Sequence, residues 1–176
     1  NAFLGGGLPR RSCWLLAGAP GGGKTTLAMQ VCGAWPGERA PLWISTEQPA
    51  GRVASYARRL GVRDDAVVYG NETEIATARA VQRLAVEHRA RLVVVDSVQG
   101  LEAGAVLALT RWAYRRNACV VLVSQVNSEG DAAGGPRPRH EASMVARLAR
   151  VGDDAASPRR LLALDKSQHS AGDGTT

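Results

Sequence analysis

The chain has 176 residues, of which 45% are hydrophobic and 22% are charged, and its formal net charge is +6. This length suits one domain with a proper core, and the composition excludes fibrous and disordered classes. No apolar run approaches the roughly 18 residues of a membrane span, so we expect no membrane partner. The positive charge is compatible with a polyanionic partner.

Apolar runs and turn residues alternate along the chain. Short apolar runs predict strands, and apolar residues three and four apart predict helices. In chain order, the pattern predicts strand 12–17, helix 25–34, strand 42–46, helix 49–60, strand 66–69, helix 73–89, strand 91–96, helix 104–117, and strands 119–124, 146–151 and 161–165. Continuous apolar strands alternating with helices predict an α/β fold with a mostly parallel central sheet and helices on both faces. We expect one domain over residues 1–176.

Two features lie outside this alternation. Residues 127–139 are polar and rich in Gly and Pro, and the segment is too long for a simple connection, so we expect a mobile loop. Cys13, Cys32 and Cys119 lie in or beside apolar stretches without a Cys-x-x-Cys pair. This spacing predicts buried free thiols in a cytoplasmic protein rather than a metal site.

The segment Gly18-Ala-Pro-Gly-Gly-Gly-Lys-Thr25 fits the phosphate-loop pattern G-x-x-x-x-G-K-[ST] in full. Glycines let backbone N–H groups turn around an anion, and the helix that follows points its positive end at the same place. We expect Lys24 to reach the β- and γ-phosphates of ATP and the Thr25 hydroxyl to bind Mg²⁺. The predicted nucleotide-binding residues are Gly18, Ala19, Pro20, Gly21, Gly22, Gly23, Lys24, Thr25 and Thr26.

Polar residues end three of the predicted strands at the edge where open parallel sheets bind ligands. Asp96 is the candidate second ligand of Mg²⁺, or alternatively a cap for the next helix. Glu47 is the candidate base for the water that attacks the γ-phosphate, or alternatively a solvated loop acid. Gln125 is a candidate contact to the γ-phosphate or that water. Lys166 stands out because it and Lys24 are the only lysines among 22 basic residues.

These motifs, in this order, resemble the RecA-like branch of P-loop ATPases, and most closely the bacterial RadA/Sms family. The similar segments are the lead-in Leu4-Gly-Gly-Gly-Leu-Pro-Arg-Arg-Ser12, the acid-plus-helix segment 47–61, the magnesium strand Val94-Val-Asp-Ser-Val-Gln99 and the loop Asn127-Ser-Glu-Gly-Asp-Ala-Ala-Gly-Gly-Pro-Arg137. The resemblance implies that Glu47 is catalytic. It also implies that Tyr56 stacks on adenine, against the alternative that Tyr56 belongs to the core.

The resemblance further implies ATP-driven work on single-stranded DNA by a homo-oligomeric ring or filament with active sites between subunits. Arg137, Arg139 and His140 would then pair with DNA phosphates, unless they form a solvated basic loop. The family's Lys-Asn-Arg-Phe-Gly motif corresponds here to Lys166-Ser-Gln-His169. Lys166 is kept for catalysis across the subunit boundary, but Gln168 replaces the Arg, so we expect slow turnover.

The chain differs from the family in further ways, and other functions are compatible with its motifs. Residues 99–117 are fewer than in the family, and we expect neither its zinc module nor its protease-like C-terminal domain in this chain. The alternatives are a KaiC-like signalling or assembly ATPase that does not bind DNA, a replicative helicase core, and a nucleotide-binding scaffold with little turnover. The loop 127–137 and the basic charge favour DNA repair.

Overall fold

The computed structural model describes residues 7–36, 39–63, 65, 67–69, 77–125, 137–151 and 159–167. Its strands are β1 Ser12–Gly18, β2 Leu42–Ser45, β3 Val67–Tyr69, β4 Leu92–Asp96, β5 Cys119–Gln125, β6 Met144–Arg150 and β7 Arg160–Ser167. Its helices are α1 Lys24–Gly33, α2 Ala50–Arg59, α3 Ala78–Glu87, α4 Ala105–Arg116 and α5 Arg137–Glu141, with a 3₁₀ turn at Val98–Gly100.

The described strands form one seven-stranded sheet in the order β3-β2-β4-β5-β1-β6-β7. All neighbours pair in parallel except β6 and β7, which are antiparallel. The predicted α/β fold with a mostly parallel sheet is therefore confirmed. One domain over residues 1–176 stays a prediction, because part of that range lies outside the described residues.

The core has two layers, one on each face of the sheet. Helices α1 and α2 cover one face with side chains such as Met29 and Val53, and α3 and α4 cover the other with Val81 and Leu109. Residues in the central strands are buried on both faces, which explains why their sequences are apolar without alternation. The carboxyl ends of β1, β4 and β5 consequently meet at one edge of the sheet.

Several boundaries differ from those predicted, and three of these differences have a clear local cause or consequence. Helix α3 begins at Ala78, with the Thr77 hydroxyl accepting from the Ala80 N–H at 3.1 Å; residues 73–76 of the predicted helix lie outside the described part of the chain. Strand β6 begins earlier than predicted, at Met144, which pairs with Trp14. The predicted loop 127–139 was wrong at its end, because α5 begins at Arg137. Its first turn contains Pro138, where a missing N–H costs no helical hydrogen bond.

The three cysteines are buried and free, as predicted. Burial raises the pKa of Cys13, Cys32 and Cys119 to about 12, so each thiol stays protonated at neutral pH. Across the described ranges, no helix is both long and apolar enough to cross a lipid bilayer.

Candidate functional site

The loop between β1 and α1 has the geometry of an anion cradle. Gly21 and Gly23 have φ angles of 69° and 94°, in the left-handed region where a side chain would strain the backbone. Helix α1 starts directly after the loop, and the N–H groups of its first turn have no acceptor within the helix. The glycines thus let the chain turn at the edge of the sheet, where the unpaired N–H groups at the start of α1 are available to an anion.

Gly18, the last residue of β1, is required for a different reason. It lies beside Leu148 of β6, and a Cβ added at Gly18 would be 2.4 Å from the Leu148 carbonyl oxygen. A glycine is therefore needed for the close approach of the two strands, as well as for the turn that follows.

Lys24 lies within the loop rather than pointing into solvent. Its side chain is buried, and its Nζ donates to the carbonyl oxygens of Gly18 at 2.9 Å and Ala19 at 2.8 Å. Burial lowers the pKa of Lys24, while the carboxylates of Asp96 and Glu47 oppose that shift. The ammonium is thus held beside the N-terminus of α1 and close to two acids.

Thr25 and Asp96 form the contact that links α1 to β4. The Thr25 hydroxyl donates to Asp96 Oδ2 at 2.8 Å. Burial raises the pKa of Asp96; Glu47 raises it further, whereas the Thr25 hydrogen bond and the Lys24 charge lower it. A hydroxyl and a carboxylate are the hard oxygen donors that Mg²⁺ prefers, so this pair fits a magnesium ion.

Glu47 follows β2 at the same edge and is oriented by Ser97. Glu47 Oε1 accepts a short hydrogen bond from the Ser97 hydroxyl. Ser97 is in turn fixed through its backbone, because its N–H donates to Thr46 Oγ1 at 2.9 Å and its carbonyl accepts from the same hydroxyl at 2.9 Å. Ser97 is a site residue that sequence reasoning missed, although its position next to Asp96 was a signal.

A cavity of about 550 Å³, large enough for a nucleotide, opens beside the loop. Tyr56 lines it, with its hydroxyl hydrogen-bonded to Thr26 Oγ1 and the Arg59 guanidinium 5.0 Å from the centre of its ring. Tyr56 is thus a half-buried wall of the cavity, packed against the core on one side. Arg52 and Arg59 also line the cavity and were missed by sequence reasoning.

Residues 1–131 match the AAA domain family. The chain belongs to this family. It is 34% identical to the DNA repair protein RadA of Mycolicibacterium smegmatis over 193 aligned residues, covering 98% of this chain and 40% of that protein. The DNA repair protein RadA of Haemophilus influenzae is 30% identical over 148 residues, covering 76% of this chain and 32% of the relative.

The DNA repair protein RadA of Escherichia coli is similar at 31% identity, again with 76% of this chain and 32% of the relative covered. The chain spans roughly a third to two fifths of the length of these relatives. Together, the match and the relatives confirm the predicted resemblance: this AAA domain is a RadA-like ATPase core of the RecA type.

Gln125 of the AAA domain lies at the same edge as the phosphate loop. It is the last residue of β5 and sits in register with Gly18 of β1. Its neighbour Ser124 is held by Gln99, whose Nε2 donates to the Ser124 hydroxyl at 3.3 Å. The structure thus brings Lys24, Thr25, Glu47, Asp96 and Gln125 to one edge of the sheet.

Lys166 is not brought to this edge. Its ammonium donates to the carbonyl oxygens of Arg139, His140 and Ala142 at 3.3, 2.9 and 2.8 Å. These carbonyls lie at the C-terminal end of α5, where a cation is stabilising. Within the chain, Lys166 therefore anchors α5, and its predicted role across a subunit boundary stays a prediction.

The predicted DNA-contacting residues are only partly described. Arg139 forms an ion pair with Asp165 at 3.4 Å, and Arg147 pairs with the same carboxylate at 2.9 Å. His140 is exposed at the end of α5. The side chain of Arg137 and the loop residues 126–136 lie outside the described residues, so their contact with DNA stays a prediction.

Arg160, at the start of β7, is a further residue that sequence reasoning missed. Its Nε donates to the Gly22 carbonyl oxygen at 3.1 Å, although the two residues are 138 positions apart in sequence. This bond holds a carbonyl of the phosphate loop towards β7.

Proposed function

We propose that the chain binds ATP with Mg²⁺ at the carboxyl edge of the sheet, hydrolyses it, and works in DNA repair with single-stranded DNA as its stimulating partner. The observation that carries the nucleotide part is the 2.8 Å contact of Thr25 Oγ1 with Asp96 Oδ2, next to the buried Lys24. The repair part rests on the similarity of the chain to the DNA repair protein RadA of two bacteria.

Lys24 is suited to recognise the β- and γ-phosphates. Among the described residues its ammonium bonds two backbone carbonyls, and an ammonium has three N–H groups. The remaining donor can take a phosphate oxygen while the other two keep the side chain in place. The loop N–H groups and the start of α1 add further donors without any charge that must be desolvated.

Thr25 and Asp96 would hold Mg²⁺ through a hydroxyl and a carboxylate oxygen. The chemistry supplied by bound Mg²⁺ is positive charge at the phosphate oxygens. Asp96 must be ionised for this role, and the nearby ammonium of Lys24 favours that form.

Glu47 is the proposed general base. Its carboxylate lies one strand away from Asp96, is exposed to solvent, and is oriented by the Ser97 hydroxyl. It would accept a proton from the water that attacks the γ-phosphate, and Gln125 would orient that water or the phosphate. Proton transfer by a positioned side chain typically contributes about 10²–10⁴-fold to a rate.

Single-stranded DNA is proposed to meet the segment that leads into α5. The exposed His140 and the net charge of +6 support this. Arg139 would contribute by exchanging Asp165 for a DNA phosphate, since that ion pair is partly solvent-exposed and weak.

The test is ATP hydrolysis with and without single-stranded DNA over a series of salt concentrations. We expect DNA to raise the rate at low salt and the effect to fade as salt rises. Lys24→Ala should lose nucleotide binding, and Glu47→Gln should bind without turnover. If DNA neither binds nor changes the rate, the DNA part is wrong and a KaiC-like assembly ATPase becomes the better reading. Full turnover by Glu47→Gln would exclude Glu47 as the base.

A second candidate, a nucleotide-binding scaffold with little turnover, is favoured by one observation. The Lys166 ammonium is engaged with carbonyls of its own subunit, and Gln168 stands where the family has Arg. Hydrolysis per chain should then stay low and independent of protein concentration. A rate that rises steeply with protein concentration would favour sites completed between subunits.

A further inference from the structure

A basic groove lies between α3 and α4, away from the nucleotide site. Two adjoining hollows of about 300 and 730 Å³ share Val86, Trp112 and Arg116 in their walls, so they form one continuous surface. We call this surface the arginine groove. Seven exposed arginines define it, and they are Arg39, Arg79, Arg83, Arg89, Arg91, Arg115 and Arg116.

The groove is separate from the nucleotide site. Arg91 directly precedes β4, whereas Asp96 ends it, and five residues of extended chain span about 16 Å. Arg91 also marks the amino edge of the sheet, because its carbonyl accepts from Cys119 N–H at 2.8 Å where β5 begins. The nucleotide cavity is on the α1–α2 face, and α3 and α4 cover the opposite face.

The charge of the groove is not compensated. Within the described part of the chain, none of its seven arginines forms an ion pair, and no carboxylate lines either hollow. Seven like charges on one surface repel each other and destabilise the free protein slightly. Such an arrangement favours a polyanionic occupant, which removes the repulsion.

The chemistry of the groove favours phosphates. Guanidinium groups match phosphate oxygens with two parallel hydrogen bonds, which a lysine ammonium does not. Arg79 and Arg83 are four residues apart on α3, so they project from the same side of the helix at neighbouring positions. A repeated anion along a chain fits this spacing better than a single small anion.

The lining of the groove includes no exposed aromatic ring on which bases could stack, so the groove suits a duplex better than a single strand. Trp112 in its wall is only 6% exposed, and sites for single-stranded DNA stack bases on accessible aromatic rings. Tyr114 is exposed on the same helix, but it does not line the groove, and Arg11 lies 5.2 Å from its ring centre. Contacts to the backbone alone suit duplex DNA.

We propose that the arginine groove binds the phosphate backbone of double-stranded DNA, independently of sequence and of nucleotide. This site is distinct from the segment near α5 that we assign to single-stranded DNA, and it does not depend on that assignment. The chain would then hold a duplex on the α3–α4 face.

The experiment measures binding of a labelled duplex and of one of its strands to the nucleotide-free full chain, by fluorescence anisotropy over a salt series. The groove variant combines Arg79→Gln, Arg83→Gln and Arg115→Gln. The matched control removes the same charge at exposed positions outside the groove, with Arg10→Gln, Arg58→Gln and Arg150→Gln. Thermal unfolding checks that both variants are folded.

We expect the groove variant to bind the duplex at least about tenfold more weakly at low salt. The slope of log binding constant against log salt concentration should become shallower by about 2.7, which is about 0.9 for each of three lost phosphate contacts. The control should change both far less, and binding of the single strand should fall less than binding of the duplex. Lys24→Ala should keep duplex binding, which separates this proposal from a failure of the ATPase proposal.

Three results would overturn the proposal. The first is equal loss of duplex affinity in the groove and control variants. The second is tighter binding of a polyglutamate peptide than of the duplex at the same salt, with loss of that binding in the groove variant, which would assign the groove to an acidic protein. The third is a groove variant with unchanged duplex affinity but an altered mass by light scattering, which would make the groove a contact between copies of the chain.

Discussion

Asp96 faces two opposing requirements. To hold Mg²⁺ it must be ionised, yet in the free protein burial and the nearby Glu47 raise its pKa. The Thr25 hydroxyl at 2.8 Å and the Lys24 ammonium partly offset this cost. Two acids and one buried ammonium at a single edge of the sheet thus store unfavourable electrostatic energy that a metal ion would relieve.

We predict that Asp96→Asn stabilises the metal-free protein at neutral pH. Because the pKa of Asp96 is raised in the folded protein, the folded protein binds more protons than the unfolded chain between the ordinary Asp pKa and the raised value. The contribution of Asp96 is therefore greatest below the ordinary Asp pKa and is lost as pH rises through the raised value. Asn can still accept from Thr25 but does not titrate.

Urea unfolding over a pH series, without nucleotide or metal, measures this effect. The stability gain of Asp96→Asn should grow with pH and vanish in acid. A variant less stable than the wild type at neutral pH would mean that the Asn fails to keep the contact with α1.

We predict that Ser97→Ala lowers kcat about tenfold while nucleotide affinity stays unchanged, since Ser97 orients Glu47 but contacts neither the phosphate loop nor Lys24. Steady-state hydrolysis and a separate titration with a non-hydrolysed nucleotide give the two quantities. Ser97→Thr, which keeps a hydroxyl, should recover part of the rate. An equal loss of affinity would indicate that Ser97 supports the fold of the site as a whole.

Among the secondary-structure elements, β6 determines the position of the phosphate loop as much as the loop's own sequence does. Strand β6 runs directly beside the end of β1, and the Leu148 carbonyl occupies the space where a side chain of residue 18 would lie. The close approach of these strands fixes where the loop leaves the sheet, and so where α1 begins.

We predict that Gly18→Ala destabilises the protein by about 2–3 kcal/mol or more, because the clash is with backbone atoms that cannot rotate away. Chemical unfolding measures the free energy. Gly51→Ala is the matched control: its added Cβ meets nothing within 4 Å on α2, so it should be neutral or stabilising by up to about 1 kcal/mol. Equal effects of the two changes would mean that β6 moves away at little cost.

The strands and the motif residues could be predicted from the sequence, whereas the long-range contacts of the site could not. The strands were predictable because burial on both faces leaves uninterrupted apolar runs, and Lys24, Thr25 and Asp96 were predictable because a local pattern or a strand end locates them. Helix α5 was missed because five residues are too few to display a period. The bonds of Ser97 to Glu47 and of Arg160 to Gly22 join residues 50 and 138 positions apart, and only tertiary packing brings them together.

In the molecule as a whole, the central sheet separates two surfaces to which we assign different ligands. The nucleotide cavity belongs to the carboxyl edge and the α1–α2 face, whereas the arginine groove belongs to the α3–α4 face. Binding at the two is expected to be largely independent in the isolated chain, because the central strands between them are packed rigidly on both sides.

We predict that ATP with Mg²⁺ stabilises the whole chain against unfolding by about 2.7 kcal/mol at a hundredfold excess over its dissociation constant, as expected for a ligand that binds only the folded state. Thermal unfolding with and without nucleotide measures this shift. Chelating the metal should remove most of it, and Lys24→Ala should remove it entirely. A shift of the same size in Lys24→Ala would place nucleotide binding elsewhere in the molecule.

Strand β7 runs from the phosphate loop, at the carboxyl edge of the sheet, to α5, at the opposite edge. Arg160, the first residue of β7, donates a hydrogen bond to the Gly22 carbonyl. Lys166, six residues later and about 20 Å away along the extended strand, donates hydrogen bonds to carbonyls at the end of α5. A single extended strand, β7, therefore connects the phosphate loop to α5, the helix next to the proposed contact with single-stranded DNA. We therefore expect nucleotide binding to alter the position of α5 through this strand, and replacing Lys166 should weaken the stimulation of hydrolysis by DNA.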